Sequence, residues 1–337
     1  MRYRRSAILA TALAAAAAGA VAIAMPASAA LTTSCTGTAS DVTVPNDLFV
    51  PANKSCDLTN VTINGATTVR GGGNLLLTDS TLNGTLAVQD NGFVDIEHST
   101  VTGAVKLNTA FGGYAQNSTL GGNVTATSSG FFYSIGSSMV SVNSTQGETY
   151  LESARMSKNL TTSGDVLTDV YNSVIEGTVG ISGAQTGSVV CTSEIDGNTT
   201  IDGSTAADGS LVQVGASAPL TGCGFDVFAS GLALTNNAAP VYVSDNVIRD
   251  NLSCTGNATA PVGSSSRIRG EATDQCAPAA SGSVTPSARA LTPNAAAKSV
   301  APAASAGRDS SVLAQVKSRQ GSGTSAAQQA GPAGIGS

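Results

Sequence analysis

Three ionisable side chains that could carry out acid–base chemistry lie within one short segment, at Asp95, Glu97 and His98. Asp95 and Glu97 alternate with Val94 and Ile96, so on a β-strand both carboxylates would face away from the buried side. Such a pair can act as general acid and base, or bind a cation, with the imidazole beside it. The alternative is an outer strand face whose charges are only solvated.

Aromatic side chains form a second candidate site, for a ligand rather than for a reaction. Phe131, Phe132 and Tyr133 follow one another, so a strand must place at least one of these rings on its outer face. An exposed ring there would suit contact with a glycan or a protein. The alternative is a core position with one half-exposed neighbour.

The chain has six cysteines, and an even number in an exported protein predicts disulfide bonds. Sequence alone does not select among the fifteen connectivities that six cysteines allow. The spacings of 21, 32 and 22 residues nevertheless favour partners that are neighbours in sequence. With one histidine and no C-x-x-C pair we expect no metal centre and no cofactor, with calcium as the ion left open. The cysteines are Cys35, Cys56, Cys191, Cys223, Cys254 and Cys276.

The N-terminal segment has the pattern of a secretory signal peptide. Three arginines among the first five residues precede an apolar run that ends at Met25, and Ala27-Ser28-Ala29 resembles an A-x-A cleavage site. A transmembrane anchor is the alternative, which Pro26 and the cleavage site disfavour. We therefore predict a signal peptide over residues 1–29, a secreted extracellular protein, and no membrane segment after cleavage.

The charge of the remaining chain disfavours a nucleic-acid partner. Removing the three signal-peptide arginines from the 16 Lys and Arg leaves 13, against 22 Asp and Glu. Nucleic-acid-binding proteins normally carry a basic patch, and no Lys/Arg cluster follows the signal. We therefore expect a polysaccharide or an envelope protein as partner, and the sequence leaves the oligomeric state open.

A repeat of about 19 residues organises the centre of the chain. Ser80 begins S-T-L-N-G-T-L-A-V, Ser99 begins S-T-V-T-G-A-V-K-L, and Ser118 begins S-T-L-G-G-N-V-T-A. The fifth position is most often glycine, which we expect to supply a positive-φ corner. The third position is apolar in eight units: Ile63, Leu82, Val101, Leu120, Met139, Met156, Ile175 and Ile195.

Apolar residues that recur with a period of two indicate short strands buried on one side. One unit cannot bury its apolar row alone, so the units must stack and share a continuous core. We therefore predict an all-β fold, a single-stranded parallel β-helix (solenoid) stapled by disulfides. It occupies residues 30–276, with about eleven coils over residues 41–276.

The C-terminal segment, residues 277–337, is rich in Ala, Ser, Gly and Pro and has few large apolar residues. Such a composition buries too little surface to offset the entropy of ordering. We expect a disordered tail, with at best a marginal helix over Ser310 to Gln320.

With its columns aligned, the chain resembles the right-handed parallel β-helix superfamily of pectin-lyase-like proteins. The segment V-S-D-N-V-I-R-D-N-L-S-C-T-G-N, from Val243 to Asn257, also resembles a C-terminal coil of secreted, largely uncharacterised actinobacterial-type proteins. The 19-residue period approaches that of left-handed hexapeptide helices and bactofilin-like solenoids, which leaves the handedness open. We expect a non-catalytic structural or adhesive protein. The resemblance implies an alternative, a polysaccharide lyase or glycoside hydrolase.

Overall fold

A computed structural model describes residues 32–216, 219–277, 308 and 310–335. The predicted signal peptide at residues 1–29 lies outside the described residues. The described residues form one parallel β-solenoid of short strands, together with a helix, α1 (Ser310–Ala330), that packs on it.

The first seventeen strands are β1 (Thr32–Ser34), β2 (Gly37–Ser40), β3 (Thr43–Val44), β4 (Asp47–Val50), β5 (Ser55–Thr59), β6 (Thr62–Ile63), β7 (Thr67–Val69), β8 (Asn74–Thr78), β9 (Thr81–Leu82), β10 (Leu86–Val88), β11 (Phe93–Glu97), β12 (Thr100–Val101), β13 (Val105–Asn108), β14 (Gly112–Gln116), β15 (Thr119–Thr127), β16 (Phe132–Ile135) and β17 (Ser138–Thr145). The others are β18 (Glu148–Glu152), β19 (Arg155–Met156), β20 (Leu160–Ser163), β21 (Leu167–Tyr171), β22 (Val174–Ile175), β23 (Val179–Ser182), β24 (Gly187–Cys191), β25 (Glu194–Ile195), β26 (Thr199–Asp202), β27 (Leu211–Gly215), β28 (Val227–Phe228), β29 (Leu232–Thr235), β30 (Val241–Ser244), β31 (Val247–Ile248), β32 (Leu252–Thr255), β33 (Arg267–Ile268) and β34 (Ala272–Asp274).

Each coil contributes up to three short strands, and parallel pairing stacks them into three faces. Face 1 is a separate sheet of eleven strands, whereas faces 2 and 3 share β15 and β17 and form one 23-stranded sheet. Face 1 stacks β2, β5, β8, β11, β14, β16, β18, β21, β24, β27 and β30. Face 2 stacks β3, β6, β9, β12, β15, β17, β19, β22, β25, β28, β31 and β33, and face 3 stacks β1, β4, β7, β10, β13, β15, β17, β20, β23, β26, β29, β32 and β34.

The solenoid has about 13 coils, more than the eleven predicted. The first coil begins at Thr32, before residue 41, and the last coil contributes to face 1 only a single bridge, Tyr242 to Val262. Most coils keep the 19-residue period, as where Thr62 pairs with Thr81. One later coil is longer, since Glu194 pairs with Val227. At about 4.8 Å per coil the rod is roughly 60 Å long.

The apolar columns of the repeat fill the interior, as predicted. All eight third-position residues are buried, and they belong to one continuous core cluster. Burying a side chain of this size stabilises the fold by roughly 1.5–3 kcal/mol. Because each coil supplies only a few such side chains, neighbouring coils depend on one another.

The first position of the repeat forms a buried hydrogen-bonded ladder. The Oγ of Ser99 accepts the N–H of Ser80 at 2.9 Å, and the Oγ of Ser118 accepts the N–H of Ser99 at 3.0 Å. These bonds satisfy corner N–H groups that the strand ladders leave over, which a buried backbone requires. The ladder continues towards the C-terminus through Ser173, Ser193, Asp226, Asn246 and Ser266.

Glycine at the fifth position has a different cause from the one predicted. The positive-φ residues do not include Gly65, Gly84 or Gly103, so these glycines do not supply the left-handed corner. A Cβ at Gly84 would instead collide with the carbonyl of Gly65, and one at Gly103 with that of Gly84. The column is glycine because successive coils approach each other closely there.

Three disulfide bonds join neighbours in sequence, as the spacings favoured. Cys35 pairs with Cys56, and Cys254 with Cys276, each across adjacent coils, with Cα atoms 5.6 and 5.2 Å apart. The third bond, from Cys191 to Cys223, holds the insertion that lengthens one coil. Both ends of the solenoid and its longest loop are thus covalently fixed.

The tail differs from the expectation of disorder at Ser310–Ala330, which forms α1. Val312, Val316 and Ala327 are buried against the solenoid, so the helix is stabilised by packing rather than by its composition. The helix ends at Ala330, and the next residue, Gly331, has a φ of 80° and precedes a proline, which is typical of a helix C-terminus. Residues 278–307 lie outside the described residues, and for them disorder stays a prediction.

Candidate functional site

The outward side chains at the centre of face 1 form a single column beneath α1. Strand register places one member of the column in each coil, so neighbours are about 4.8 Å apart. Acids occupy both ends of this column and tyrosines occupy its middle. Its members are Asp57, Leu76, Asp95, Tyr114, Tyr133, Tyr150 and Asp169.

An aromatic strip follows this column and is covered by α1. Its rings contact one another with centroids 5.0–6.4 Å apart, in edge-to-face, tilted and stacked arrangements. Val312 and Val316 pack on the strip and belong to the same buried cluster. The rings of the strip are those of Phe93, Phe111, Phe131, Tyr133, Tyr150 and Tyr171.

The three predicted aromatic candidates fall on both sides of the sheet. Phe132 lies in the main core, whereas Phe131 and Tyr133 lie in the strip on the outer face. Both strip residues are nearly inaccessible to solvent because α1 covers them. Ligand binding at these rings stays a prediction, and in this conformation the chain's own tail occupies the place of a ligand.

A buried ion pair fixes the N-terminal end of the tail helix. Arg308 donates from Nε to Asp169 Oδ2 at 2.8 Å, and its second terminal nitrogen donates to Oδ1 at 3.1 Å. The Asp169 side chain is fully buried, and that of Arg308 is 11 % exposed. Such a two-pronged contact fixes both the position and the orientation of the arginine.

Arg319 and Gln320 anchor the middle of α1. Arg319 donates to Asn74 Oδ1 at 2.7 Å and lies over the ring of Phe111, with Cζ 4.9 Å from the centroid. Gln320 donates to Asp95 Oδ2 at 2.8 Å. Each anchor reaches a different coil, so the helix bridges a length of the rod.

The segment after α1 covers the first coil. Thr38 donates its N–H to the carbonyl of Gly331 at 3.0 Å, and Ala333 donates its N–H to the carbonyl of Thr38 at 2.8 Å. The bridge between Thr38 and Pro332 is parallel, like the pairing of the coils. Ala333 and Ile335 join the main core. The C-terminal end of the chain thus closes the N-terminal end of the solenoid.

A cavity of about 330 Å³ lies between face 1 and α1. Two of the predicted catalytic candidates, Asp95 and Glu97, line it together with Asp57, and Lys317 contributes a cation from the helix. Burial raises the pKa of Asp95 to about 6, with the charges of Glu97 and Asp57 adding to the rise and Gln320 opposing it. Burial also raises the pKa of Asp57. A carboxyl with a pKa of about 6 keeps a fraction of its protons near neutral pH and can then donate a proton or a hydrogen bond.

His98 does not line this cavity, although it follows Glu97 directly in sequence. It is exposed at a corner after β11, where its φ is 48°. Asn60, Asp79 and Asn117 occupy the equivalent corner in neighbouring coils, also with positive φ. Asn, Asp and His adopt this left-handed conformation more readily than other residues that carry a Cβ. The corner geometry gives a structural reason for a histidine at this position, and a catalytic role of His98 stays a prediction.

The described residues do not provide a built metal site, since no group of three or more His, Cys, Asp and Glu side chains among them is placed to hold an ion. Calcium binding stays a prediction. None of these described residues forms a helix with both the length and the apolar character needed to cross a membrane.

The features that sequence reasoning missed are α1 and its partners on the column. Arg308 and Asp169 are 139 residues apart in sequence, and no local pattern joins them. The one available signal was the spacing of Val312, Val316, Gly323 and Ala327, which a helix places on one face. No protein-family model, curated protein or solved structure was found to match this chain.

Proposed function

We propose that this protein is a secreted, non-catalytic β-solenoid with a structural or adhesive role at the cell envelope or in the extracellular space. The supporting observation is a row of hydroxyl groups on the outer side of face 2, stacked in register in successive coils. A polymer with repeating polar groups can make the same contact many times along this row. The row consists of Thr43, Thr62, Thr81, Thr100, Thr119 and Ser138.

The covalent framework supports the same proposal. Three disulfide bonds are typical of oxidising compartments outside the cytosol. They stiffen a rod that the tail already closes at its first coil. Rigid presentation of a repetitive surface favours multivalent contact, because each added contact costs little further ordering.

Co-sedimentation with insoluble polymers tests the adhesive role. We expect the full chain to bind one or more of cellulose, chitin and isolated peptidoglycan. The double substitution Thr62→Lys and Thr100→Lys should weaken binding by about tenfold or more, because it interrupts the row in two coils. The matched control is the double substitution Thr68→Lys and Thr125→Lys. Both residues are half-buried and lie on the outer side of face 3. Equal loss in both variants would remove face 2 as the binding surface, and binding to none of the polymers would contradict the adhesive role.

A second candidate function is a polysaccharide lyase or glycoside hydrolase of the pectin-lyase-like kind. The observation that favours it is the raised pKa of Asp95, about 6, in a cavity shared with Glu97. A hydrolase pairs one protonated carboxyl with one carboxylate. The test is release of reducing ends from polysaccharides, with and without calcium. Activity that Asp95→Asn abolishes, and that the exposed control Asp90→Asn keeps, would overturn the non-catalytic proposal.

A further inference from the structure

The part of face 1 that α1 covers, which includes Phe131, Tyr133 and Asp169, is called the groove below, and it is a docking site for one particular helix. It offers apolar rings to Val312 and Val316, a buried carboxylate to Arg308, and a second carboxylate to Gln320. These contacts are non-covalent, and their solenoid partners, such as Asp169 and Asp95, lie several coils before the last one. An identical tail from another copy of the chain would make every one of them.

The connection between solenoid and helix is long compared with the distance it spans. Thirty residues separate Ala277 from Arg308, and fully extended they reach about 100 Å. Asp169 and Val262 are four coils apart on face 1, about 19 Å. The covalent link therefore does not restrict α1 to the groove of its own copy.

The helix has little stability of its own away from the groove. Gly321 and Gly323 lie in its interior, where glycine favours the helix less than alanine does. Gly323 packs closely against Asn74 and Leu76 of face 1, so that an added Cβ would lie 3.0 Å from Leu76 Cδ1 and 3.4 Å from Asn74 Cβ. The sequence of α1 is therefore adapted to this groove rather than to an isolated helix.

We propose that the face 1 groove also accepts α1 from a second copy of this chain, so that copies are linked by exchange of tails. Each copy carries one tail and one groove, so the contact is heterologous and produces open chains or closed rings. Docking within one copy and docking between copies differ only in the effective concentration that the connection provides. Exchange thus increases with protein concentration. The inference goes beyond the proposed function and does not depend on polymer binding.

Cross-linking between two variants of the full chain, each with one cysteine added to the six that form disulfide bonds, tests the exchange. A Cβ at Gly323 would lie 3.4 Å from the Cβ of Asn74, which is close to the separation in a disulfide. One preparation carries Asn74→Cys and the other carries Gly323→Cys. Neither can close the bond within its own chain, so a bond between them requires docking between copies. Asn74→Cys removes one acceptor of Arg319, the Oδ1 of Asn74, but leaves its hydrogen bonds to the carbonyls of Gly72 and Asn91.

We expect a cross-linked dimer whose yield rises as the mixture is concentrated from about 10 µM towards 1 mM, the range of typical effective concentrations. The control pair combines Gly323→Cys with Asn83→Cys, an exposed residue away from the groove, and should give at least tenfold less dimer. Adding Asp169→Asn to the Asn74→Cys copy should lower the yield about tenfold, because the tail arginine loses its buried partner.

The double variant, with Asn74→Cys and Gly323→Cys in one chain, reports whether the groove geometry is correct. We expect it to form the bond within the chain at low concentration. A complete bond there, together with no dimer above the control level in the mixture near 1 mM, would overturn the exchange. Failure of the double variant to close would overturn the docking geometry on which the proposal depends. Neither result alters the polymer-binding test.

Discussion

Asp226 occupies a position of the buried ladder that other coils fill with serine or asparagine, and we expect Asp226→Asn to stabilise the fold. Asp226 is fully buried and accepts the N–H of Ser193 at 2.7 Å. Burial raises its pKa to about 7, although hydrogen bonds from the Ser193 and Gly215 backbone oppose the rise. In the next coil, Asn246 accepts the equivalent bond and also donates from Nδ2 to the carbonyl of Val214 at 3.0 Å. A carboxylate cannot make that donation.

The magnitude follows from the difference in the pKa of Asp226 between the folded and unfolded chains. The folded value lies above the unfolded value of about 4, so the folded state binds the proton more tightly. The stability contributed by this proton is complete below pH ~4 and is lost as the pH rises through about 7. A rise from 3.8 to about 7 corresponds to about 4 kcal/mol. An asparagine does not titrate and avoids this loss.

Chemical unfolding at pH 4, 6 and 8, with the disulfide bonds intact, measures the effect. The free energy of unfolding of Asp226→Asn should exceed that of the unaltered protein by little at pH 4 and by about 4 kcal/mol at pH 8. Asp208→Asn, at an exposed loop position, controls for the loss of one negative charge. A difference between Asp226→Asn and the unaltered protein that does not change with pH would refute the assignment of a raised pKa. A less stable variant at pH 8 would refute the ladder argument.

Two further substitutions test the ladder and the tail. Ser99→Ala removes the acceptor of a buried N–H in the preceding coil and should cost about 1–3 kcal/mol in unfolding free energy, whereas Thr100→Ala on the outer row should cost about 0.5 kcal/mol or less. Asp169→Asn should remove hydrogen-exchange protection from α1 while the strands stay protected, because the tail arginine loses its buried carboxylate. Glu176→Gln breaks an exposed ion pair and should leave that protection unchanged.

Much of the solenoid could be predicted from sequence because each coil repeats the same local requirement. Ile63 and Leu82 are apolar since every coil must bury that position, and the same signal recurs eight times. The cause of a repeated residue is harder to read than its presence. The sequence predicts a positive-φ corner at Gly84, but close approach of adjacent coils explains the glycine. The sequence suggests a site for His98 beside Glu97, and the structure adds a second reason for the residue, its place in a corner column of Asn, Asp and His.

The candidate site was predictable only on its solenoid side. Alternation correctly placed Asp95 on an outer face, and three successive aromatics required a ring on each side of a strand. What covers that face depends on contacts across more than 130 residues, such as Arg308 with Asp169. The tail composition predicts disorder because it counts only the surface that the tail buries by itself. Docking onto Phe131 and Tyr133 supplies the missing apolar surface from another part of the chain.

The difference between the coil spacing of the solenoid and the rise of α1 explains where the cavity lies. Asp169 and Asp95 are four coils apart, about 19 Å. Their partners are Arg308, which precedes α1, and Gln320, which lies about 15 Å along the helix from Ser310. The tail and the column therefore cover similar lengths between these two anchors. Beyond Asp95 the two spacings diverge. Asp57 lies two coils further along the column, about 10 Å, whereas its hydrogen-bond partner Thr324 lies four residues after Gln320, about 6 Å along the helix. The cavity lies along this stretch, where the spacing of the acids exceeds the advance of the helix, and Asp57, Asp95 and Glu97 share it with Lys317 and Thr324.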